Sequence, residues 1–571
     1  MSPQQVVSRF VPSFLRVISP LCLVAALSGC PETGIVCRND TTRCGQGCAD
    51  LKSDQRNCGA CGVACQTGQV CQDSACTCQS GAQDCGNGTC VVLATDPNNC
   101  GACGKACAAD ELCESQSDAG VYVGSACVKD CSVGTQVRCG SSCINLQTDP
   151  NHCGACGAAC SDSQSCHAGR CSYDLVAACF SSGQVRGLQA TSSFVGPLEA
   201  MGTAPQSLAA YGEALLAVDG LDRRLYQARL RSNGGKAFAG IGYINRVGSV
   251  PNQVLVDAPY VYVINSSSGT LQVLKKDAPD TTTADGGSDP IVVDGGSTAG
   301  GVRLATVAEL SFGANSFPQA GVKVGNAMWV PLYGGFGASG AAAGQSVKKV
   351  DLTNPEAPAI VDTVDLSGLD LKAFDGGTPV PRPYSIIASG NQLLVALNNL
   401  NPDTYVPEGP GLLAKIDATT RAVTVLDLGA DKCLNPIWMA LQGANVVVAC
   451  AGNGVYDFVT FSLVSVEKAG VVLVDLAGTR KAVWEASCPA DAGLADGGSS
   501  CAPILPSRFA VADNKVWLGD QNGGRLFVLD VAPTSLTERR GYAGSAGGPI
   551  QACGLDPITG IANVADVLAV P

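Results

Sequence analysis

The chain has 571 residues, with 49 Asp and Glu against 36 Lys and Arg; a net charge of −13 without any run of Lys or Arg argues against nucleic acid as a partner. Of its 32 cysteines, two (Cys22 and Cys30) lie near the N-terminus, twenty-four fall between Cys37 and Cys171, and six lie beyond, a usage suited to an oxidising compartment. Both histidines, His152 and His167, sit in the cysteine-rich segment, which excludes a Ser-His-Asp triad, a His-held catalytic metal and a His general base from everything after it.

At the N-terminus, Arg9 and Arg16 precede an apolar run from Val17 to Leu27, which closes on Leu27-Ser28-Gly29-Cys30. A basic start, a short apolar core and small residues describe an export signal over residues 1–29; the run is too short to span a bilayer, which needs roughly 20 residues. The last four residues resemble the lipobox of bacterial lipoproteins. That resemblance implies cleavage before Cys30, acylation (palmitate among the chains) of its sulfur and new amine, and a lipid-anchored tether over 30–36. With two or three chains, at about 0.8 kcal/mol per buried CH2, such an anchor is stable. Pro31, not an acidic residue, follows the anchor, which places the expected site at the outer membrane, on its periplasmic face or the cell surface. No later stretch is apolar for long enough to form a second membrane segment.

Three copies of one cysteine pattern follow. Copy one, over 37–76, is Cys37, Cys44, Cys48, Cys58, Cys61, Cys65, Cys71 and Cys76. Copy two, over 78–127, is Cys78, Cys85, Cys90, Cys100, Cys103, Cys107, Cys113 and Cys127. Copy three, over 131–171, is Cys131, Cys139, Cys143, Cys153, Cys156, Cys160, Cys166 and Cys171. From the third cysteine to the seventh the gaps are nine, two, three and five residues in every copy. Eight cysteines close four bridges without a neighbour's help, although 105 connectivities are open. Segments this short and this poor in large apolar residues need cross-links in place of a core, each contributing about 2–4 kcal/mol. The centres read Asp54-Gln55-Arg56-Asn57-Cys58-Gly59-Ala60-Cys61-Gly62 and its counterparts from Asp96 and from Asp149. Asp, Pro and Asn start turns there, and Gly permits positive φ. This core is similar to that of the stigma-specific cysteine-rich secreted protein family, Asp-x-x-Asn-Cys-Gly-x-Cys-Gly-x-x-Cys, with the difference that Cys71 stands alone where the family pairs two cysteines. The resemblance implies a surface binding or signalling module and no chemistry. Zinc is the alternative, because Cys58-x2-Cys61, Cys100-x2-Cys103 and Cys153-x2-Cys156 have ligand spacing. Export and an even cysteine count favour disulfides.

From residue 175 to 571 the composition turns to Val, Leu, Ala and Gly, with short alternating strands between Gly, Asn and Asp turns. A weak repeat organises them. Pro205, Pro251, Pro318, Pro383, Pro436 and Pro506 each open a unit, followed by an apolar stretch, a turn and a second apolar strand such as Val261-Tyr262-Val263-Ile264. A third strand follows a glycine, as in Gly411-Leu412-Leu413-Ala414 and Gly470-Val471-Val472-Leu473. Six such units predict propeller blades of about four strands. A seventh is expected from both chain ends: two strands after Pro549, joined by a turn at Asp556–Gly560, and two from residues 175–179 and 183–188. The pattern resembles the seven-bladed surface-layer type of β-propeller lipoprotein domain. Cysteine order suggests the bridges Cys433–Cys450, Cys488–Cys501 and, across the closing blade, Cys179–Cys553. Asp-Gly-Gly at Asp285, Asp294, Asp375 and Asp496 lacks the context of a calcium loop and reads as polar insertion.

Propellers bind at the channel mouth, where loops between second and third strands gather. Those loops offer Asp219, Asn265, Asn398, Asn399, Asn453, Asp520 and Asn522, hard-oxygen groups among which one calcium ion is conceivable. Gluconolactonase-type propellers, which these residues resemble in kind, use such a set with an acidic base. Polar turn residues are also what any propeller needs at those bends. The tryptophans Trp329, Trp438, Trp484 and Trp517 fit strand positions and read as core. The expectation is an all-β protein of three disulfide-rich repeats and a seven-bladed β-propeller. It is not an enzyme and has no cofactor beyond a conceivable calcium. Cys30 tethers it to a membrane, and it binds a protein, peptide or glycan through the propeller. The alternatives are a calcium-dependent lactonase or hydrolase, and a cysteine-rich arm that carries the ligand itself.

Overall fold

In the N-terminal repeats covalent spacing takes the place of a core. The computed structural model describes residues 36–118, 121–132, 136–160, 164–190, 195–230, 238, 241–276, 303–456, 463–486, 503–539, 549–554 and 561–570. Cys30, Cys488, Cys501, Asp285, Asp294, Asp496 and the Asp556–Gly560 turn lie outside them. Two compact units result, one ending at Asp130 and one beginning at Cys131.

Each repeat is a pair of short antiparallel hairpins. Repeat 1 pairs Thr42–Cys44 with Gly47–Ala49 and Gln69–Gln72 with Ala75–Cys78. Repeat 2 pairs Gln83–Asp84 with Cys90–Val91 and Glu111–Asp118 with Val121–Lys129. Repeat 3 pairs Gln136–Cys139 with Ser142–Asn145 and Ser165–His167 with Arg170–Ser172. All three close their bridges in one order: first cysteine to third, second to fifth, fourth to seventh, sixth to eighth. In repeat 1 these are Cys37–Cys48, Cys44–Cys61, Cys58–Cys71 and Cys65–Cys76. The two cysteines of each Cys-x2-Cys pair enter different bridges. The sulfurs of Cys58, Cys65 and Cys71, which lie within 4.8 Å of one another, therefore belong to adjoining disulfides and offer no thiolate to zinc.

The central motif has a backbone reason at each position. The first Asp accepts the N–H two residues on, with Asp54, Asp96 and Asp149 each at 2.8 Å from it. The residue before the fourth cysteine accepts the N–H of the second glycine: Asn57 at 2.9 Å and Asn99 at 2.8 Å. At Gly59 φ is +75°, and an added Cβ would stand 2.5 Å from the Ser74 carbonyl oxygen, so only glycine fits. In repeat 3, His152 replaces the asparagine, and its Nδ1 accepts the Gly157 N–H at 2.9 Å. We expect His152→Asn to leave stability unchanged and His152→Ala to cost about 1 kcal/mol; thermal unfolding of both variants checks this.

The second unit joins repeat 3 to the propeller. Tyr173 is buried across Gly187 and Gly196, where an added Cβ would fall 1.9 Å and 2.3 Å from its side chain, and it stacks on Phe238 with centroids 5.7 Å apart. His167 Nε2 lies 2.7 Å from Asp174 Oδ1, and Arg170 forms an ion pair with Glu213.

Seven antiparallel sheets form the propeller, six of four strands and one, blade 6, with a short fifth strand added. Blades 1 to 6 begin with the innermost strands Pro205–Tyr211, Pro251–Asp257, Val322–Val324, Pro383–Ser389, Pro436–Gln442 and Pro506–Ala512, and each continues outward in chain order. Five of these strands start on the proline read from the sequence; in blade 3, Pro318 forms a bridge to Leu332 just ahead of the strand. Second strands such as Tyr260–Asn265 and Asn445–Cys450 are buried on both faces because blades stack face to face, which is why they read as continuous apolar runs. Trp329, Trp484 and Trp517 are buried in the inter-blade cores, as expected.

The closing blade differs from the two-plus-two division expected. Its innermost strand, Val564–Ala569, is the C-terminal contribution, and Leu175–Cys179, Gln184–Leu188 and Val195–Ala200 supply the other three from the N-terminal side. Ile550–Gln551, expected to open this blade after Pro549, pairs instead with Arg525–Leu526 of blade 6. Single-strand closure lets the last strand complete a sheet whose other three strands are contiguous in the chain. It leaves the ring with no open edge at the axis. The bridges Cys179–Cys553 and Cys433–Cys450 are present as expected.

Candidate functional site: the channel mouth

Strand register explains the residues found at the mouth. In six of the seven blades the inner-strand start lies opposite the end of the second strand: Pro205 opposite Asp219, Pro251 opposite Asn265, Pro383 opposite Leu397, Pro436 opposite Cys450, Pro506 opposite Asp520, and Val564 opposite Cys179. This position ties the second strand to the segment entering the inner one, with different chemistry in different blades. Cys450 and Cys179 do it through disulfides. Asp219, fully buried, accepts the backbone N–H groups of Thr203, Ala204, Leu221 and Asp222 and the Thr203 hydroxyl. Burial pushes its carboxyl up, but the four N–H groups together outweigh that and hold it below the usual carboxylate value. Asp520 accepts the Leu505 and Asn522 N–H groups and the Arg525 guanidinium; burial dominates here, and its carboxyl is raised.

Asn265 donates to Thr270 Oγ1, and Asn399 donates to the carbonyls of Leu371 and Pro410. Asn398 donates to Asn435 Oδ1. The Oδ1 atoms of all three asparagines are buried without a hydrogen-bond partner. Asn522 donates to the Pro503 carbonyl. Asn453 stands apart, on a separate hairpin of Asn453–Tyr456 with Leu463–Glu467. The candidates are thus spread over blades 1, 2, 4, 5 and 6, and no hydrogen bond joins one blade's candidate to another's among the described residues. Because the depressed Asp219 pKa means its ionised form supports the fold above the unfolded carboxylate pKa, that support is lost as pH falls through the folded value. We expect Asp219→Asn to cost about 2–4 kcal/mol near pH 7, with the gap to wild type narrowing in acid as the carboxylate is protonated. Denaturant titrations at neutral and acidic pH measure it.

The group that does meet across the axis sits one turn deeper. A β-bulge follows the proline in blades 1, 2, 4, 5 and 6, with a matching irregularity in the closing blade. Bulges re-aim side chains, and here they bring the next two residues of each inner strand together around the channel. One chain of amides runs over blades 1 to 3: Gln206 Nε2 donates to Asn252 Oδ1 at 3.1 Å, Asn252 Nδ2 to Gln319 Oε1 at 2.6 Å, and Gln319 Nε2 to Ser266 Oγ at 3.0 Å. A second chain crosses the blades just below it. Asp566 accepts the Leu208 N–H at 2.9 Å, Ser207 Oγ the Val254 N–H at 3.4 Å, and Gln253 the Gly321 N–H at 2.7 Å.

The opposite half of the ring is different. Blades 4 and 5 present Tyr384, Ile437 and Trp438, with Tyr384 and Trp438 partly exposed. Arg508 of blade 6 stacks its guanidinium 4.5 Å from the Trp438 ring centroid and donates through Nη2 to the Asn252 carbonyl of blade 2, at 2.5 Å across the axis. Its Nη1 is 3.8 Å from Asp566 Oδ2 and has no hydrogen-bond partner, although Arg508 is only 7% exposed. Burial raises the Asp566 carboxyl, with Arg508 and the Leu208 N–H pulling the other way. Trp438, read as core from the sequence, packs against two inter-blade cores and in addition carries the Arg508 guanidinium on its ring. Arg508 and Asp566 were not among the sequence candidates. The signal for Arg508 was the two positions after each blade-opening proline, where Gln206, Asn252, Gln319 and Arg508 stand polar; Asp566 follows no such proline.

The profile of the Stigma-specific STIG1-like protein family matches residues 116–174. That stretch holds the end of repeat 2 and the whole of repeat 3. No curated protein matches the chain. Solved structures similar to it include a putative 6-phosphogluconolactonase from Bacteroides uniformis, at 12% identity over 69% of this chain and 98% of that one, with a TM-score of 0.43. Apo AztD from Citrobacter koseri shows 14% identity over 69% and 97%, with a TM-score of 0.33. The computationally designed Ika8 protein shows 11% over 70% and 94%, with a TM-score of 0.37. At these identities and scores none of the three bears on activity.

Proposed function

We propose that the chain is an exported binding protein, lipid-anchored through Cys30 to the outer membrane, whose propeller takes a protein, peptide or glycan ligand at the channel mouth. The first two cysteine-rich repeats act as a spacer or adhesive arm. The observation that carries this reading is the two-sided mouth, with an amide chain over blades 1 to 3 facing partly exposed aromatic rings on blades 4 and 5. Few convergent polar groups beside aromatic surface is the make-up of a binding site. An extracytoplasmic location rests on the disulfides; among the described residues no helix is long and apolar enough to cross a membrane.

Calcium-dependent lactonase or hydrolase chemistry is the second reading, supported by the unpartnered Oδ1 atoms of Asn265, Asn398 and Asn399. Against it, the Asp219 oxygens are already occupied by backbone N–H groups and Asp520 is paired with Arg525. The test is binding of the full chain to arrays of glycans and peptides. Trp438→Ala should weaken capture at least about tenfold, and deletion of 37–130 with the anchor kept should leave it unchanged. Capture lost with the deletion would make the arm the ligand-binding part; stoichiometric calcium together with lactone hydrolysis would establish the second reading.

A further inference from the structure

Three features of the channel mouth converge on one ligand chemistry, resting on the binding reading above. Arg508 is more than nine-tenths buried and keeps Nη1 without a hydrogen-bond partner. Trp438 lies against one face of that guanidinium and is partly exposed, with Tyr384 on the neighbouring inner strand also partly exposed. On the facing wall, Gln206 and Gln319 are partly buried residues whose amides belong to a chain that is hydrogen-bonded blade to blade and so held in place.

We propose that the mouth takes a single terminal uronic-acid residue of a glycan, with its carboxylate on Arg508, its ring against Trp438 and Tyr384, and its hydroxyls on Gln206 and Gln319. A guanidinium N–H with no partner in a low-dielectric channel matches a carboxylate better than any neutral group. The apolar C–H face of a sugar ring suits an aromatic face, and hydroxyls suit amides that both donate and accept. A peptide C-terminus shares the carboxylate but would leave the amide wall facing a side chain. Net charge narrows the class further. At −13 the protein repels a polyanion, so a lone terminal carboxylate fits and an extended acidic stretch does not.

Asp566 makes the binding pH-dependent. Facing it are Arg508 from blade 6, the Ser207 hydroxyl and Leu208 N–H from blade 1, and the Val567 N–H of its own strand, with Ala178 opposite on the adjacent strand. Burial already favours its protonated form. A ligand carboxylate on the same arginine favours that form further, so binding takes up a proton and affinity rises as pH falls.

The test uses the full oxidised chain and a glucuronate-terminated disaccharide. The neutral glucose-terminated disaccharide and an N-acetylated dipeptide with a free carboxylate serve as comparisons, with calorimetry and tryptophan fluorescence at pH 5 and pH 8. The acidic sugar should bind at least about tenfold more tightly than either comparison. Arg508→Gln should remove that preference, and Asp566→Asn should remove the pH dependence. Should Arg508→Gln not fold, Arg508→Lys keeps the charge and should still favour the acidic over the neutral sugar while binding it more weakly. Equal affinity for acidic and neutral sugar, or an undiminished preference in a folded Arg508→Gln, overturns the inference. Tighter binding of the dipeptide overturns the sugar acid and leaves the mouth a binding platform. Retention of array capture by Trp438→Ala would instead remove the platform reading itself.

Discussion

Treatment of the native chain with a mild thiol reductant should unfold residues 37–130 and leave the propeller intact. Among the described residues of these two repeats the buried apolar ones are Ala49, Cys58, Cys100 and Cys113, so three of the four are themselves half-cystines. Four bridges per repeat at about 2–4 kcal/mol each amount to roughly 8–16 kcal/mol, more than a segment of this size obtains from a core. The propeller has seven stacked sheets, and the two bridges among its described residues are fully buried; exchange needs access to a sulfur. Limited proteolysis followed by mass spectrometry, with thiols alkylated beforehand, should show cleavage throughout 37–130 and a resistant fragment from the propeller. Protease resistance of 37–130 after complete alkylation would mean that something other than the bridges holds the repeats.

Replacing Cys179 and Cys553 together with alanine should cost more than replacing Cys433 and Cys450. The first bridge spans 374 residues and the second 17. In the chain-entropy model that difference makes the closing bridge worth about 6 kcal/mol and the local one about 3 kcal/mol. The closing bridge also stands where the ring depends on one strand. Val564–Ala569 pairs with Leu175–Cys179, and Arg186 of the next strand donates to the Gln551 and Ala552 carbonyls. Loss of the bridge leaves that strand to hold the ring by pairing alone. Its departure would open a sheet edge and disconnect Asp566 from Leu208 and Arg508. The double alanine variant should therefore show a lower denaturant midpoint and faster unfolding, along with loss of ligand capture at the mouth under mildly destabilising conditions. Equal losses for the two double variants would show that loop length does not govern these bridges.

Much of this architecture was legible in the residues. Cysteine spacing marked three repeats, and prolines marked six blades at positions where five inner strands begin. Both signals are local: a bridge or a strand start needs particular residue types at a particular place in the chain. The closing blade was legible as shared between the ends but not in its division, because Val195–Ala200, interrupted by Gly196 and Pro197 and carrying Glu199, does not read as an apolar blade strand. The mouth candidates were legible in place and not in role. An aspartate that caps a turn and one that faces a ligand look alike in sequence, and only the register of Asp219 opposite Pro205, with four backbone N–H groups on its carboxylate, distinguishes them.

The amino-acid sequence by itself determined what depends on neighbours along the chain: the repeat count, the turns at Asp54, Asp96 and Asp149, the alternation of blade strands, and an absence of histidine after His167 that removes whole classes of chemistry from the propeller. Tertiary structure alone decided which of 105 pairings each repeat adopts, that repeat 3 belongs to the propeller's unit, and that Arg508 meets Asn252 from 256 residues away beside Trp438 and Asp566. Contacts of that kind are set by closure of the ring, which fixes distance across the axis for residues that have no relation in sequence.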